Sequence, residues 1–382
     1  MDYANVLKHA KAQQQSMLET LETLVIHESP SYQKNKLRDL ASVLKTRFSQ
    51  IGASVQWLDT DNGRPQLRIS VTGPQSDTNL KPALILGHFD TVWPVGTLKK
   101  RPFRVEQNLA FGPGGFDMKG GLVIIEYALQ FIHALQLPRT REIVVFLNSD
   151  EEIGSPYSRD MIMDEAVRSE YVLVLEPALP GGVLKTARKG VGAFTVSIQG
   201  RAAHAGSEPE KGISAVEELA HQILHVQSFA DPEQETTINP GRVSGGTRSN
   251  VVPARAEMRI DCRVWTNEEA CRVESAFRHL KPFNPDITLK VRGGFGRPPM
   301  ERLPGTGDLF DKVRQIGTKL GLTLTEGKTG GASDGNFCAS LGISTLDGLG
   351  VEGSGAHAEH ENVIIESLPE RAALLASILS TI

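Results

Sequence analysis

Three nearly continuous apolar runs, each ending in histidine or acidic residues, constrain this chain more than any other feature. They are PALILG (82–87) before His88-Phe89-Asp90, EIVVFLN (142–148) before Asp150-Glu151-Glu152, and YVLVL (171–175) before Glu176-Pro177. Runs of this length without polar alternation fit strands buried on both faces. Helical stretches at 119–136 and 157–168 separate them, and that alternation indicates an α/β domain. Residues 4–27 and 33–51 also carry helical spacing, and further β-type runs lie at 54–58 and 66–72.

The pattern changes near Lys189. Strand 191–199, helix 212–228, strands 237–244 and 255–263, helix 267–280 and strand 286–292 follow in order. That is the β-α-β-β-α-β order of the ferredoxin-like unit, which can close on itself as a small α+β domain. After Arg297-Pro298-Pro299 the first pattern returns, with helix 306–321, strand 322–325, helix 334–341 and a last helix from about 364. The expected plan is a large domain of residues 1–188 and 296–382, with residues 189–295 inserted. A chain of 382 residues suits two domains.

Composition removes several function classes. A net charge of −4 with no basic run gives no electrostatic reason for nucleic acid or an anionic membrane. No segment is long and apolar enough to span a bilayer, and the first residues lack the apolar core of a signal peptide, so a cytoplasmic location is expected. The three cysteines, Cys262, Cys271 and Cys338, show no CxxC spacing, so they read as reduced thiols and not as a disulfide or zinc-thiolate framework. Any metal here needs histidine and carboxylate ligands.

Such residues do gather. In open α/β sheets, ligands collect at the carboxyl ends of strands, which is where His88, Asp90, Glu151, Glu152 and Glu176 fall. Asp117 in FGPGGFDMKGG and His357 in GSGAHAEHE lie in glycine-rich loops that can reach the same edge. Each has an ordinary reading: His-x-Asp as a hydrogen-bonded pair, Asp-Glu-Glu as a solvated loop, Glu-Pro as a strand end. Their recurrence at strand ends of one domain outweighs those readings. Two histidines and several carboxylates without cysteine suit zinc.

The segments GHFDTV, FGPGGFDMKGG, NSDEEIGS, EPA and the late His357 resemble the family of acetylornithine deacetylase, succinyl-diaminopimelate desuccinylase and bacterial glutamate carboxypeptidase. Within the insert, GRAAHAGSEPEKGISA and NVVPARAEMRIDCRV are similar to that family's segments, and the glutamate carboxypeptidase branch looks nearest. The resemblance covers nearly the whole chain. It implies a zinc-peptidase-like catalytic domain with a mixed central sheet and an inserted ferredoxin-like lid and dimerisation domain.

It also implies roles. His88 and Glu176 would bind one Zn2+, Glu152 and His357 the other, and Asp117 would bridge them; Co2+ or Mn2+ are alternatives. Asp90 would accept from the other imidazole nitrogen of His88, and Glu151 would be the general base. The peptide bond after Asp117 would be cis, beside Gly114, Gly115, Gly120 and Gly121, which also read as turn and packing glycines. His204 would help hold the oxyanion of a partner protomer's site, which makes a homodimer the expectation, while Asn250 and Arg263 would recognise a substrate carboxylate. The implied reaction is hydrolysis of a peptide or N-acyl bond that releases an amino acid with a free α-carboxylate.

One position departs from the glutamate-cleaving members. Where they carry an arginine just before Gly-Arg-Pro, a gapless match places Phe295, and Arg292 could take that place by a small loop shift. The Gly330–Asp334 loop reads equally as a substrate-side loop or as a helix cap by Ser333. Other functions remain open: an N-acyl-amino-acid deacylase, a di-zinc aminopeptidase (which would need an acidic pocket for the substrate ammonium), or a silent binding protein on the same scaffold. A dinucleotide-binding domain is set aside, because GPGGFDMKGG is not GxGxxG.

Overall fold

The computed structural model describes residues 1–73, 76–77 and 79–382. The chain divides into two compact units, one of Met1–Thr186, Arg302–Lys328 and Ser333–Ile382, the other of Ala187–Glu301 and Thr329–Ala332.

The larger unit is built on a six-stranded mixed sheet. Ala83–His88 lies between Ile143–Asn148 and Tyr171–Val174, parallel to both. Pro65–Val71 adds antiparallel to Ile143–Asn148, and Ser54–Asp59 forms an antiparallel edge. Thr345–Leu346 extends the other side in parallel. The three strands formed by the apolar runs are buried at every position, as unbroken hydrophobicity requires of strands covered on both faces. Helix Gly120–Ala134 is also buried on nearly all sides and packs against the C-terminal helix Ser367–Leu379. Gly121 permits the approach: a Cβ there would lie 2.2 Å from the Leu175 carbonyl oxygen.

Local sequence accounts for several boundaries. The 4–27 stretch divides at Gln13 into helices Tyr3–Ala12 and Gln14–Ile26, the first capped by the Asp2 carboxylate. The reading of 322–325 as a strand is corrected. Gly321 at positive φ closes helix Pro304–Lys319, with the Leu322 amide donating to the Gly317 carbonyl, and Leu324 packs over Gly317. Those leucines are the apolar contact behind a glycine helix end. The strand comes four residues later, at Glu326–Thr329, and pairs with Leu184–Arg188.

A small antiparallel sheet of Arg104–Glu106, Leu109–Phe111, Gly353–Ser354 and Asn362–Ile364 escapes sequence reading, because strands of two or three residues carry no usable period. It matters here because the loop between its last two strands carries His357.

The second unit runs Gly190–Gln199, helix Ala215–Gln227, Thr237–Gly245, Arg255–Val264, helix Asn267–Arg278 and Thr288–Arg297. Its sheet places the first strand between the third and the fourth, with the second at an edge, all antiparallel, which is the ferredoxin-like arrangement. Both helices begin at side-chain caps, Ser214 on the Glu217 amide and Thr266 on the Glu269 amide, each with glutamate three residues on. Phe194 stacks on Phe277 inside this separate core. Among the described residues, no helix is long and apolar enough to cross a membrane.

Candidate metal centre

Four elements of the larger unit bring their ends together around Asp117. His88 is the last residue of its strand; its Nε2 lies 3.2 Å from Asp117 Oδ1 and 3.4 Å from Glu176 Oε1. His357 Nε2 lies 3.3 Å from Asp117 Oδ2 and 3.1 Å from Glu152 Oε2. Asp117 thus presents one oxygen to each histidine, and each histidine has a second carboxylate of its own. The five residues gather as two half-sites sharing one carboxylate.

Three adjacent acids take three positions. Asp150 turns away, and its carboxylate accepts from the Tyr157 and Ser158 amides at the start of the next helix. Glu152 faces His357. Glu151 brings an oxygen within 4.8 Å of donor atoms of His88 and Glu176. The turn holding Glu151 and Glu152 is gripped by Asp90, whose two oxygens accept their backbone amides at 3.2 Å each. Ser31 Oγ donates to the same carboxylate at 2.7 Å. Meanwhile His88 Nδ1 lies 3.1 Å from the Asp90 main-chain carbonyl and 3.4 Å from Asp90 Oδ1. Asp90 therefore holds both the first histidine and the turn carrying the two glutamates.

The electrostatics are those of a crowded acid cluster. Burial alone would lower the His88 imidazole, yet Asp117, Asp90 and Glu176 together hold it well above its ordinary value. Asp117 and Glu152 raise His357 as well. Asp117 is pushed up by burial, but the two imidazolium partners outweigh this and bring it far below the usual carboxylate range. Burial raises Glu152. Glu152 Oε1 is buried with no hydrogen-bond partner among the described residues. Such an orphaned oxygen is costly unless a cation takes it. Together with a donor set of imidazole and carboxylate, it fits divalent metal, zinc included.

The structure adds Glu361 and Lys119, which sequence reading missed. Glu361 is 3% exposed, and its carboxylate accepts from the Gly114, Phe116 and Asp117 amides and from Trp93 Nε1 at 2.7–3.1 Å. It fixes the backbone that presents Asp117. Gly114 is required at the start of this loop: its φ is +72°, and a Cβ would sit 2.4 Å from Thr91 Cγ2. The Asp117–Met118 peptide bond is cis. Met118 Sδ accepts from the His88 amide at 3.2 Å. Lys119 is buried with its Nζ on the His27 carbonyl, and burial brings its ammonium down to about 7 against the fields of Glu361 and Glu28. In HAEHEN the sequence shows only a charged loop; nothing separates buried Glu361 from its exposed neighbours Glu359 and His360.

Residues 84–381 match the sequence profile of Peptidase family M20/M25/M40. This chain belongs to that family. It is accordingly a hydrolase of the metallopeptidase type. Carboxypeptidase G2 of Pseudomonas sp. (strain RS-16) is 32% identical over 383 residues, spanning 98% of this chain and 91% of that protein. Among solved structures, aminopeptidase PepT from Bacillus cereus superposes with a TM-score of 0.76 at 22% identity, covering 96% of this chain and 98% of its own. An M20-family metallo-carboxypeptidase from Sulfolobus solfataricus does so with 0.73 at 18%, covering 95% and 98%. At those identities the family's fold is what is shared.

Of the remaining residues singled out in the sequence, all but Ser333 and Asp334 lie in the second unit. His204 and Asn250 are both exposed and sit on paired segments, the Ala205 amide donating to the Asn250 carbonyl. His204 Nδ1 accepts from the Gly206 and Ser207 amides, which leaves its proton on the outward Nε2. Arg263 holds its fork on Asp261, with Nε to Oδ1 at 2.9 Å and an Nη to Oδ2 at 3.0 Å. The idea that Arg292 replaces the missing arginine by a small shift is corrected. Arg292 pairs with Thr195 and Phe295 with Gly192, so the two face opposite sides of the sheet, and Phe295 packs on the helix-side core. Putting Arg292 where Phe295 stands would need a three-residue slip of the strand, an odd shift that turns every side chain to the other face. Ser333 is buried; its Oγ bonds to Asp347 and accepts the Gly335 amide at the start of helix Gly335–Ser340, a local structural task.

Proposed function

We propose that this chain binds two zinc ions and hydrolyses a peptide or N-acyl amide bond, releasing an amino acid with a free α-carboxylate. The observation that carries the reading is Asp117 between two histidine–carboxylate pairs with Glu151 beside them. In it His88, Glu176 and Asp117 would hold one ion, and His357, Glu152 and Asp117 the other. When bound, a pair of cations there would supply Lewis acidity to the scissile carbonyl and a water of lowered pKa.

The chain's own groups do the rest. Glu151 takes a proton from the attacking water and returns it to the leaving amine, a task for a carboxylate that is not itself a ligand. Asp90 keeps Glu151 in register through its backbone amide and keeps the His88 ring oriented. Asn250 and Arg263 take the substrate carboxylate, for which a planar guanidinium suits two parallel hydrogen bonds; Arg263 would share its fork with Asp261. His204, with an outward N–H, serves the oxyanion of a second protomer's site. The dimer this requires is supported by the exposed edge strand Thr237–Gly245 and by Leu224, 70% exposed on the neighbouring helix.

The identity to Carboxypeptidase G2 favours a carboxypeptidase, while Phe295 argues against strict selection of glutamate. The test is hydrolysis of a panel of N-acyl amino acids, dipeptides and benzoyl- or folyl-glutamate by the zinc-loaded protein, with Glu151→Ala alongside. Release of one C-terminal amino acid, abolished in Glu151→Ala with zinc retained, is the expected result. A requirement for a free substrate amine would favour the aminopeptidase reading. No turnover despite two bound zincs would sink the hydrolytic one.

A further inference from the structure

A cavity of about 290 Å³ opens beside Glu152 in the larger unit. One wall is Pro30–Gln33, the segment after helix Gln14–Ile26. The other is Thr91–Val95, which leaves the strand carrying His88; Ile153 joins them at the Glu152 end. No lysine, arginine or histidine is among the lining residues. Tyr32, Val92 and Val95 are 78%, 41% and 49% exposed there, an apolar patch at the edge of an otherwise acidic centre. Exposed apolar surface grouped beside a reactive site marks something that covers it in use.

The walls are already fixed. Pro30 bridges Thr91, with the Ser31 amide on the Thr91 carbonyl at 3.2 Å and the Thr91 amide on the Ser29 carbonyl at 2.9 Å. Ser31 Oγ is tied to Asp90, and the Glu28 carboxylate accepts the Gly96 and Leu98 amides beyond Val95. Binding in such a pocket orders little that is not ordered already.

We infer that this cavity is the subsite for the acyl side of the scissile bond and that it selects an uncharged, apolar acyl group of about one aromatic ring or branched side chain. The inference rests on the hydrolytic reading above. The amine side of that substrate carries a carboxylate and needs a cation, which this cavity lacks, so the acyl side is the part that suits it. An anionic acyl group such as succinyl would find no lysine, arginine or histidine among the lining residues to pair with it. The volume sits at the small end of ligand pockets, about 300 Å³ and upward, which limits it to one such group.

The test is binding by the zinc-loaded Glu151→Gln variant, which separates recognition from turnover. Titration calorimetry would compare the N-benzoyl, N-acetyl and N-succinyl derivatives of L-glutamate and of L-alanine within each series. The benzoyl compounds should bind at least about tenfold more tightly than either other acyl group, as filling an apolar pocket predicts. Val95→Asp and, separately, Val92→Asp in that background should abolish the preference with zinc content unchanged. Equal affinity across the acyl groups, or a preference that survives both aspartates, overturns the subsite. Benzoyl preference without amino-acid release by the unmutated protein would sink the hydrolytic reading and leave the subsite supported. Release from all three acyl types with no preference would do the reverse.

Discussion

The two halves of the metal centre are built by opposite means. His88 ends a strand buried on both faces, is 1% exposed, and is held by Asp90, by Met118 and by the register of the sheet. His357 sits at positive φ on a loop between strands of two and three residues, with its side chain 51% exposed. The first half inherits its geometry from the core. The second depends on a few polar contacts, chiefly those of Glu361, and Asp117 joins the two. Rigid placement from the sheet and adjustable placement from a loop meet on one carboxylate.

The largest effect is expected where the halves meet. Glu151→Gln should lower kcat/KM about a thousandfold, the range of general acid–base catalysis, with both metals retained. Glu152→Ala should lose activity together with one metal. Atomic absorption on dialysed protein reads the difference, and equal metal loss in both variants would remove the distinction drawn between the two glutamates.

Next in size is the contrast between the histidines. His88→Ala leaves buried carboxylates without their partner, so the metal-free protein should lose about 3 kcal/mol or more in urea denaturation. His357→Ala, at a half-exposed position, should cost less. Equal losses would break the comparison.

Glu361→Gln should weaken metal binding about 10- to 100-fold, as outer partners of metal ligands generally do. The Co2+ absorption spectrum should change as well, because the loop presenting Asp117 is displaced. Glu359→Gln, on the same loop but exposed, should leave both unchanged.

The smallest effect is one of pH. In the metal-free protein His357 is raised from 6.5 to about 10 and His88 lies well above 6.5. A group whose folded pKa is raised adds stability that is full below its unfolded value and lost as pH climbs through the folded one. The melting temperature of the metal-free protein should therefore fall between pH about 6.5 and about 10. That of the zinc-loaded protein, where metal replaces those protons, should fall less. Zinc binding at pH 7 should also release protons, measurable by calorimetry in buffers of differing ionisation enthalpy.

The same contrast explains what was legible in the sequence. Buried strands announce themselves by unbroken apolar runs, so a sheet covered on both faces, and with it the positions of His88, Glu151, Glu152 and Glu176 at strand ends, is legible in the sequence, while its mixed order came from the family resemblance. The insert was readable because its strands and capped helices are long enough to show a period. Asp117 and His357 were found through flanking motifs that resemble a family, since their loops have no period of their own. Glu361 was not found. A buried carboxylate serving backbone amides looks, in a one-letter code, like the solvated acids around it. The strand misplaced at 322–325 failed for a related reason: two leucines serving a helix end imitate a short strand. Tertiary partners decide such cases, and local pattern does not contain them.

The bond from Trp93 to Glu361 has an experimental consequence. The indole lies 2.7 Å from the carboxylate that grips the Asp117 loop, with the Arg101 guanidinium 4.0 Å over its ring. Of the chain's three tryptophans, Trp57 lies on the edge strand Ser54–Asp59 and Trp265 in the other unit. Trp93 fluorescence should therefore respond to loading of the centre without any added label, so that ligand capture could be timed in a stopped-flow cell on the unmodified protein.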